Sequence, residues 1–316
     1  MKNPIPVAVC SRSFSRHPVL REALLDRYDN VTLNEQGLAL KGAALVSFLR
    51  GHGKAIVGLE PIDDAVLAAL PELKVVGKYG VGVDTLDLRA FESRGVLLGW
   101  TPGVNKRSVA ELVLAFALAL SHRVPSANQT VRSGGWRPEV GRELTGSTFG
   151  LVGFGHVARD VATLLTPFEC RLLVHDVAVS SDVYERYRAL PVPLDSLLAQ
   201  SDVISLHVPL NESTRNLLSA ERISLMKAGA ILINTARGHV VDEAALEAAL
   251  RAGKLAGAGF DVFATEPPAN EGLLQLPNFL GTPHFASSTE QGIIAMGRAA
   301  IQGLDSGVLP SALGLV

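Results

Sequence analysis

The chain has 316 residues, of which 47% are hydrophobic and 19% are charged, and its formal net charge is −2. This length and composition exclude global disorder and predict a large buried core with about two domains. Because the net charge is close to zero, neither a nucleic acid nor a membrane is expected as a partner.

Residues 1–100 alternate short β-branched runs with amphipathic segments, which is the βαβ pattern of a parallel sheet covered on both faces. Strands are predicted at 5–10, 31–33, 55–57, 74–76 and 96–98, and helices at 19–28, 42–49, 62–70 and 86–94. Pro102 and Gly103 then break the pattern, and a long apolar helix is predicted at 108–121. That helix carries Glu111 and is too short to cross a membrane.

A second strand series follows at 149–152, 171–175, 203–207, 230–234, 257–261 and 278–281. These six strands would form a complete doubly wound sheet. The segment 286–316 has a helical pattern without a strand, so it is predicted to pack back on the first domain. The fold class is therefore α/β, with two doubly wound parallel-sheet domains.

A glycine-rich turn follows the first strand of the second series. Gly153, Gly155 and Ala158 form the pattern G-x-G-x-x-A at the start of a predicted helix. Gly153 permits a tight turn, Gly155 leaves room for backbone amides to reach a pyrophosphate, and the helix N-terminus attracts the anion. The pattern predicts a dinucleotide site, although a turn that only joins a strand to a helix can produce the same letters.

The next predicted strand ends at Asp176, close to the spacing of about 20 residues expected for the acid that binds a cofactor ribose. A carboxylate there would repel a 2′-phosphate, and residues 177–181 contain no arginine to receive one. NAD is therefore favoured over NADP. The alternative is that Asp176 is a solvated residue at a strand end.

Arg237, Glu266 and His284 follow three successive strands of the second series. Because ligands of open α/β sheets bind beyond the carboxyl ends of the strands, one site could contain all three. An arginine can hold a carboxylate or carbonyl oxygen, a histidine can transfer a proton, and a glutamate can fix the imidazole tautomer and raise its pKa. The set suits the reduction of an oxo acid. Individually, each residue could instead have a structural role.

Motifs along nearly the whole chain resemble the D-isomer-specific 2-hydroxyacid dehydrogenase family, which includes phosphoglycerate dehydrogenase and hydroxypyruvate reductase. The motifs are GVGVD at 80–84, TPG at 101–103, SVAE at 108–111, GFG at 153–155, HVPL at 207–210, NTARG at 234–238, DVF at 261–263, EP at 266–267 and TPH at 282–284. The resemblance implies an NAD-dependent oxidoreductase acting at C2 of a small D-2-hydroxy acid or its oxo acid. Both phosphorylated and unphosphorylated acids are compatible with it. The alternatives are an NAD(H)-sensing, corepressor-like interaction protein and a phosphite-type dehydrogenase.

The resemblance also implies roles for individual residues. Arg237 would bind the substrate carboxylate and carbonyl, His284 would be the acid/base, and Glu266 would pair with His284. The residues expected at the cofactor are Gly153, Gly155, His156, Val157, Asp176, Val208, Pro209, Thr214, Thr235, Ala236, Arg237, Asp261 and His284. Among these, Asp261 would contact the nicotinamide amide.

The residues expected at the substrate are Lys78, Tyr79, Val81, Gly82, Asn105 and Arg237. Lys78 and Tyr79, like Lys106 and Arg107, flank the expected substrate loops. Their charges could recognise a phosphate or second acidic group, or they could be solvated. His156 and Trp100 depart from the family pattern, which often has an arginine and an asparagine at those positions.

The family architecture implies a Rossmann-type cofactor domain at 101–286 and a flavodoxin-like substrate domain formed by 1–100 and 287–316, with an interdomain cleft. It also implies a homodimer built around the cofactor domains. The 108–121 helix suits that interface, although an intramolecular core helix has the same sequence pattern. Neither a metal site nor a disulfide framework is expected, because the histidines are scattered and Cys10 and Cys170 lie far apart. A cytoplasmic location is expected.

Overall fold

The structure is a computed structural model that describes residues 2–316, and the chain divides into two compact units. Unit 1 contains the residues up to Asn105 together with Ser288–Val316, and unit 2 contains Lys106–Ser287. The domain limits predicted from the sequence lie a few residues earlier in the chain.

The first segment of unit 1 alternates strands and short helices. Its elements are β1 (Val7–Val9), α1 (Arg12–Arg16), α2 (Pro18–Leu25), β2 (Val31–Leu33), α3 (Gly42–Leu49), β3 (Lys54–Val57), α4 (Asp64–Ala68), β4 (Val75–Lys78), α5 (Leu88–Arg94) and β5 (Leu97–Gly99). The strands form one parallel sheet in the order β2-β1-β3-β4-β5. This is the flavodoxin-like strand order.

Unit 2 begins with two consecutive helices and continues as a larger α/β unit. Its elements are α6 (Lys106–Ser121), α7 (Val124–Arg132), β6 (Thr148–Val152), α8 (His156–Leu164), β7 (Arg171–His175), α9 (Ser181–Arg186), β8 (Ala189–Pro191), α10 (Leu194–Gln200), β9 (Val203–Leu206), α11 (Ala220–Leu225), β10 (Ala230–Asn234), α12 (Glu243–Arg251), β11 (Leu255–Phe260), α13 (Glu271–Leu274) and β12 (Phe279–Gly281). The seven parallel strands have the order β12-β11-β10-β9-β6-β7-β8. The chain direction across the sheet reverses between β6 and β9, the position where doubly wound folds bind ligands.

The last long helix, α14 (Glu290–Ser306), packs on β4 and β5 of unit 1. Thr289 caps its N-terminus by accepting a hydrogen bond from the Gly292 amide. The helix backbone approaches β5 closely, because a Cβ on Gly303 would lie 2.7 Å from the Cα of Gly99. Residues near both ends of the chain therefore form one core.

Apolar side chains fill both faces of each sheet, as expected for parallel strands covered by helices. The central strands β9 and β10 of unit 2 are buried along their whole length. Their carboxyl ends are consequently the positions where polar side chains emerge from the core.

The structure confirms the predicted fold class of two parallel α/β sheets and corrects several elements. Unit 2 has seven strands rather than six, because Ala189–Pro191 adds an edge strand beside β7. The sequence hides this strand, since it is short and ends in a proline that only an edge position tolerates. Helices α1 and α7 were not predicted, and the predicted 62–70 helix is shorter because Asp63 caps it.

In residues 2–316, no single helix has the length and apolar composition to cross a membrane. Only α6 and α7 taken together, which are bent by 63° relative to each other, reach that length and composition. The same residues contain no group of three or more His, Cys, Asp or Glu side chains that could hold a metal ion.

Candidate active site

The glycine turn of unit 2 connects β6 to α8 and contains two glycines with different constraints. Gly153 has a φ of +87°, and a Cβ on it would lie 2.7 Å from the His207 carbonyl oxygen. Gly155 precedes α8, and a Cβ on it would meet no atom within 4 Å. The backbone needs a glycine at Gly153, whereas Gly155 leaves open space in front of the helix.

The N-terminus of α8 is suited to an anion. Within the described part of the chain, no side chain caps the helix, so its first-turn N–H groups remain available to a ligand. His156 is exposed there, and Val157 is half-buried. The turn therefore has the uncapped amides and the open space that a pyrophosphate requires.

Asp176 lies at the carboxyl end of β7 and is bonded to this turn. Its Oδ2 accepts a hydrogen bond from the Phe154 amide at 2.6 Å, and its Oδ1 accepts one from the Ala178 amide at 2.8 Å. The carboxylate is therefore bonded as well as half-exposed, and its contact with a ribose stays a prediction. The carboxylate is held beside the glycine turn with acceptor capacity remaining.

Buried polar atoms at the ends of β9 and β10 provide a further test of whether a cofactor fits. The imidazole Nε2 of His207 and the Oγ1 of Thr235 have no hydrogen-bond partner within residues 2–316. Burial lowers the pKa of His207 to about 3, so its ring is uncharged. Native structures rarely leave such atoms unpaired, so a bound ligand or water is expected to satisfy them.

The neighbouring cofactor candidates are supported by their own contacts. Val208 lies against the glycine turn, since its Cγ1 would be 3.1 Å from a Cβ on Gly153. Thr214 donates to the Pro209 carbonyl at 2.6 Å and thereby fixes the segment after β9. Ala236 is buried beside the half-buried Thr235. These residues fit a dinucleotide lying across the strand ends.

Arg237 lies on the loop after β10, and Asn234 shapes that loop. The buried Asn234 side chain accepts a hydrogen bond from the Ala236 amide at 3.0 Å and donates one to the Arg237 carbonyl at 2.9 Å. Arg237 itself donates to the Ala236 carbonyl at 2.6 Å. In the sequence, Asn234 stands out only as the first residue of the NTARG motif. An asparagine at the end of a strand often bonds the backbone amide two residues later, so its position could have predicted that it shapes this loop.

Gly238 brings the Arg237 loop against the loop that carries Glu266. A Cβ on Gly238 would lie 1.8 Å from the Phe263 carbonyl carbon, so the two loops touch backbone to backbone. Glu243 adds a second connection, because its carboxylate accepts a hydrogen bond from the Ala264 amide at 2.7 Å. Glu243 lies in the first turn of α12, and no sequence motif indicates this contact.

Glu266 and His284 form a hydrogen-bonded pair although they follow different strands. Glu266 Oε2 lies 2.8 Å from His284 Nδ1, and its Oε1 accepts a hydrogen bond from the Phe263 amide at 3.1 Å. The carboxylate therefore fixes both the tautomer and the orientation of the ring. Nδ1 carries the proton, and Nε2 is the nitrogen that can exchange a proton with a substrate.

Asp261 lies at the end of β11 and is 1% exposed. Its carboxylate accepts hydrogen bonds from Thr282, Phe285 and Ala286, which surround His284 in sequence. The family resemblance implies that Asp261 contacts the nicotinamide amide. In the structure, its contacts are with the loop that carries His284.

The substrate candidates of unit 1 lie at and after the carboxyl end of β4. Lys78 is 4% exposed and donates to the Gly58 carbonyl, so it is not a solvated surface charge. Tyr79 is also buried, and its ring packs edge-on against Phe14. The Trp100 indole donates to the Val81 carbonyl at 2.8 Å, which fixes the loop of Val81 and Gly82. Asn105 is half-buried at the end of this segment of the unit.

Arg107, one of the basic residues considered for a substrate phosphate, is paired within unit 2. Its guanidinium lies 2.7 Å from the carboxylate of the buried Asp160 on α8. This ion pair connects the first turn of α6 to the helix of the glycine turn.

Comparison with known proteins gives consistent matches. Residues 114–286 match the family model described as D-isomer specific 2-hydroxyacid dehydrogenase, NAD binding domain. The chain is 40% identical over 239 residues to a D-3-phosphoglycerate dehydrogenase of Archaeoglobus fulgidus, covering 75% of this chain but only 45% of that protein. It is 39% identical over 246 residues to a glyoxylate reductase of Korarchaeum cryptofilum, covering 75% of this chain and 74% of the relative.

The fold also matches solved structures along its length. One is a crystal structure of a putative D-isomer specific 2-hydroxyacid dehydrogenase, NAD-binding, from Polaromonas sp. JS6 66. Its TM-score is 0.87 at 32% sequence identity, and the match covers 96% of each chain.

Proposed function

The chain belongs to the D-isomer specific 2-hydroxyacid dehydrogenase family, and from that premise we propose that it moves a hydride between NAD and C2 of a small D-2-hydroxy acid or its oxo acid. The family matches confirm the predicted family, the oxidoreductase class and the NAD cofactor.

The pairing of His284 with Glu266 is the observation that carries the proposed chemistry. When bound, the reduced cofactor supplies a hydride to the carbonyl carbon of the oxo acid. His284 Nε2 then gives a proton to the carbonyl oxygen, so the ketone becomes an alcohol, and the reverse reaction returns that proton. Glu266 stabilises the charged imidazole through Nδ1.

Arg237 is proposed to bind the substrate carboxylate and its carbonyl oxygen. A guanidinium can donate two parallel hydrogen bonds to such a group, which orients C2 as well as neutralising charge. Within unit 1, the backbone amides at Val81 and Gly82, in the loop bonded to Trp100, are proposed as substrate-binding groups. Lys78, Tyr79 and Asn105 remain candidates for shaping that loop or contacting the substrate.

The proposed substrate is a short 2-oxo acid such as glyoxylate or hydroxypyruvate, since one similar protein is named a glyoxylate reductase. A phosphorylated oxo acid remains the second candidate, because another is named a D-3-phosphoglycerate dehydrogenase. The Arg107 charge could attract a substrate phosphate, but it is already paired with Asp160. This pairing favours the unphosphorylated acid as the substrate.

We also propose a homodimer and a cytoplasmic location. Helix α6 buries one face within unit 2 and leaves part of its apolar surface half-buried, so it stays a candidate for the dimer interface. The following segment also exposes Val124, Val131, Trp136 and Val140. A molar mass measured by light scattering would test the dimer.

The net charge of −2 gives no support for nucleic-acid or membrane partners.

A screen of 2-oxo acids tests the proposed reaction. The purified protein is expected to oxidise NADH with glyoxylate or hydroxypyruvate and to use NADPH poorly, because Asp176 would repel a 2′-phosphate. The His284→Ala variant should lose about 100-fold to 10,000-fold in kcat while NADH still binds in a fluorescence titration.

The exposed His122 provides a matched control, and H122A should keep the wild-type rate. The panel should include phosphohydroxypyruvate as an oxo acid and phosphite as a reductant of NAD. NADH binding without turnover of any acid would contradict the dehydrogenase and favour a sensing role. Near-normal turnover in H284A would remove His284 from the mechanism.

A further inference from the structure

His284 lies on a loop whose backbone is not in a relaxed conformation. Its φ is +48°, in the left-handed region that residues with a side chain adopt at a cost. The contact with Glu266 fixes one ring nitrogen, but it does not by itself fix the backbone that carries the ring. Other groups must therefore hold the loop at residues 282–286.

Asp261 supplies that restraint from the end of β11. Its Oδ1 accepts hydrogen bonds from Thr282 Oγ1 at 2.7 Å and from the Phe285 amide at 2.9 Å. Its Oδ2 accepts one from the Ala286 amide at 2.9 Å. These donors lie on both sides of His284 in sequence, so one buried carboxylate holds both halves of the loop.

A second anchor holds the same loop from α6. The hydroxyl of Ser108 donates to the Ala286 carbonyl, and Ser108 is 7% exposed. The Ala286 amide is thus bonded to Asp261 at the end of β11, and the Ala286 carbonyl is bonded to Ser108 in the first turn of α6.

We propose that Asp261 is a positioning residue that fixes His284 for proton transfer by holding residues 282–286. The proposal rests on the proposed function of His284. It differs from the role suggested by family resemblance, in which Asp261 contacts the nicotinamide amide.

The acceptor capacity of the carboxylate supports this choice. An ionised carboxylate offers about four acceptor positions, and three are occupied by the loop. The side chain is also almost completely buried at 1% exposure. Its main bonds therefore restrain His284, and at most one position remains for another donor.

The Asp261→Asn variant tests the proposal because it keeps the shape of the side chain. Its amide would direct a donor at the donating amide of Ala286 or Phe285, so the loop should shift. We expect kcat to fall about 100-fold, as misplacement of a reacting group by about 1 Å can cause. The NADH dissociation constant measured by fluorescence should stay at the wild-type value. The His284 ring signals in NMR spectra of the cofactor-free protein, assigned by their absence in His284→Gln, should move.

Two further variants complete the experiment. Thr282→Val removes one hydrogen bond with little change of volume and should give a smaller fall in kcat with the same movement of the ring signals. Asp202→Asn is the matched control, because Asp202 also accepts a backbone amide bond in unit 2 but precedes β9, at the amino-terminal ends of the strands and away from the carboxyl ends that carry His284. It should leave kcat and the His284 signals unchanged.

A weaker NADH affinity in Asp261→Asn with unmoved His284 signals would overturn the proposal in favour of a cofactor contact. If Asp261→Asn does not fold, unmoved signals in Thr282→Val would overturn it as well. Absence of dehydrogenase activity in the wild-type protein would contradict the proposed function. The NMR comparison would still decide whether Asp261 holds the loop.

Discussion

His207 shows how burial alters a single residue. Its ring contains a buried Nε2 without a partner in the described chain, and burial lowers the pKa of the ring to about 3. An unfolded histidine has a pKa of about 6.5, so between these two values the unfolded chain binds a proton that the folded protein does not bind. The contribution of His207 to the free energy of unfolding therefore decreases as the pH falls below about 6.5.

The His207→Asn variant should lose this pH dependence. The contribution of His207 is at most about 1.4 kcal/mol per pH unit, or about 2 kcal/mol between pH 6.5 and pH 5. Thermal unfolding across that range should therefore show a shallower loss of stability in the variant. His175→Asn is the control, because the His175 ring is bonded to the Val192 carbonyl at 3.2 Å. Equal acid sensitivity of H207N and the wild type would contradict the assignment.

At the scale of an element, the two glycines of the turn have different roles. The fold needs Gly153, whereas Gly155 leaves room for the ligand. Gly153→Ala should lower the free energy of unfolding by about 1–2 kcal/mol from the left-handed φ alone, and contact with the His207 carbonyl should add to this. Gly155→Ala should leave the apoprotein stable, because open space surrounds the added methyl group.

The two variants should therefore differ in their measurements. Denaturant unfolding should detect the change at Gly153, whereas NADH titration of Gly155→Ala should show an affinity about tenfold weaker or worse, since the methyl group obstructs the amides of α8. Unchanged affinity in G155A would show that the pyrophosphate does not lie against this turn.

At the scale of the whole molecule, the last helix completes the core built by the first hundred residues. Alanine is normally favoured over glycine within a helix by about 1 kcal/mol. At Gly303 the close approach to Gly99 should outweigh that preference, since no side chain can move aside when backbone meets backbone. Gly303→Ala should consequently lower the thermal stability of unit 1.

The neighbouring Gln302 provides the comparison for this test. It is exposed on the same helix, so Gln302→Ala should keep or slightly raise the melting temperature. A stabilised Gly303→Ala protein would show that α14 does not pack on β5 as closely as described.

The alternation of strands and helices determined the fold class, because buried parallel strands must be apolar along their length. The same local reasoning located the glycine turn, Asp176 and the strand ends that carry Arg237, Glu266 and His284. It missed the strand at Ala189–Pro191, where few side chains are buried and the apolar pattern is weak. It could not distinguish an intramolecular core helix from a dimer surface at α6, because both have the same apolar pattern. The structure packs one face of α6 on α8 and the sheet, and the dimer stays a prediction.

The sequence by itself determined which residue types stand at the strand ends, since hydrophobic periodicity and turn chemistry are local properties. Only the tertiary structure decided which partners those residues have. The bonds of Glu266 to His284, of Asp261 to residues 282–286 and of Lys78 to Gly58 join segments that are separate along the chain. Their geometry depends on strand order and on the close approach of loops, which no local pattern records.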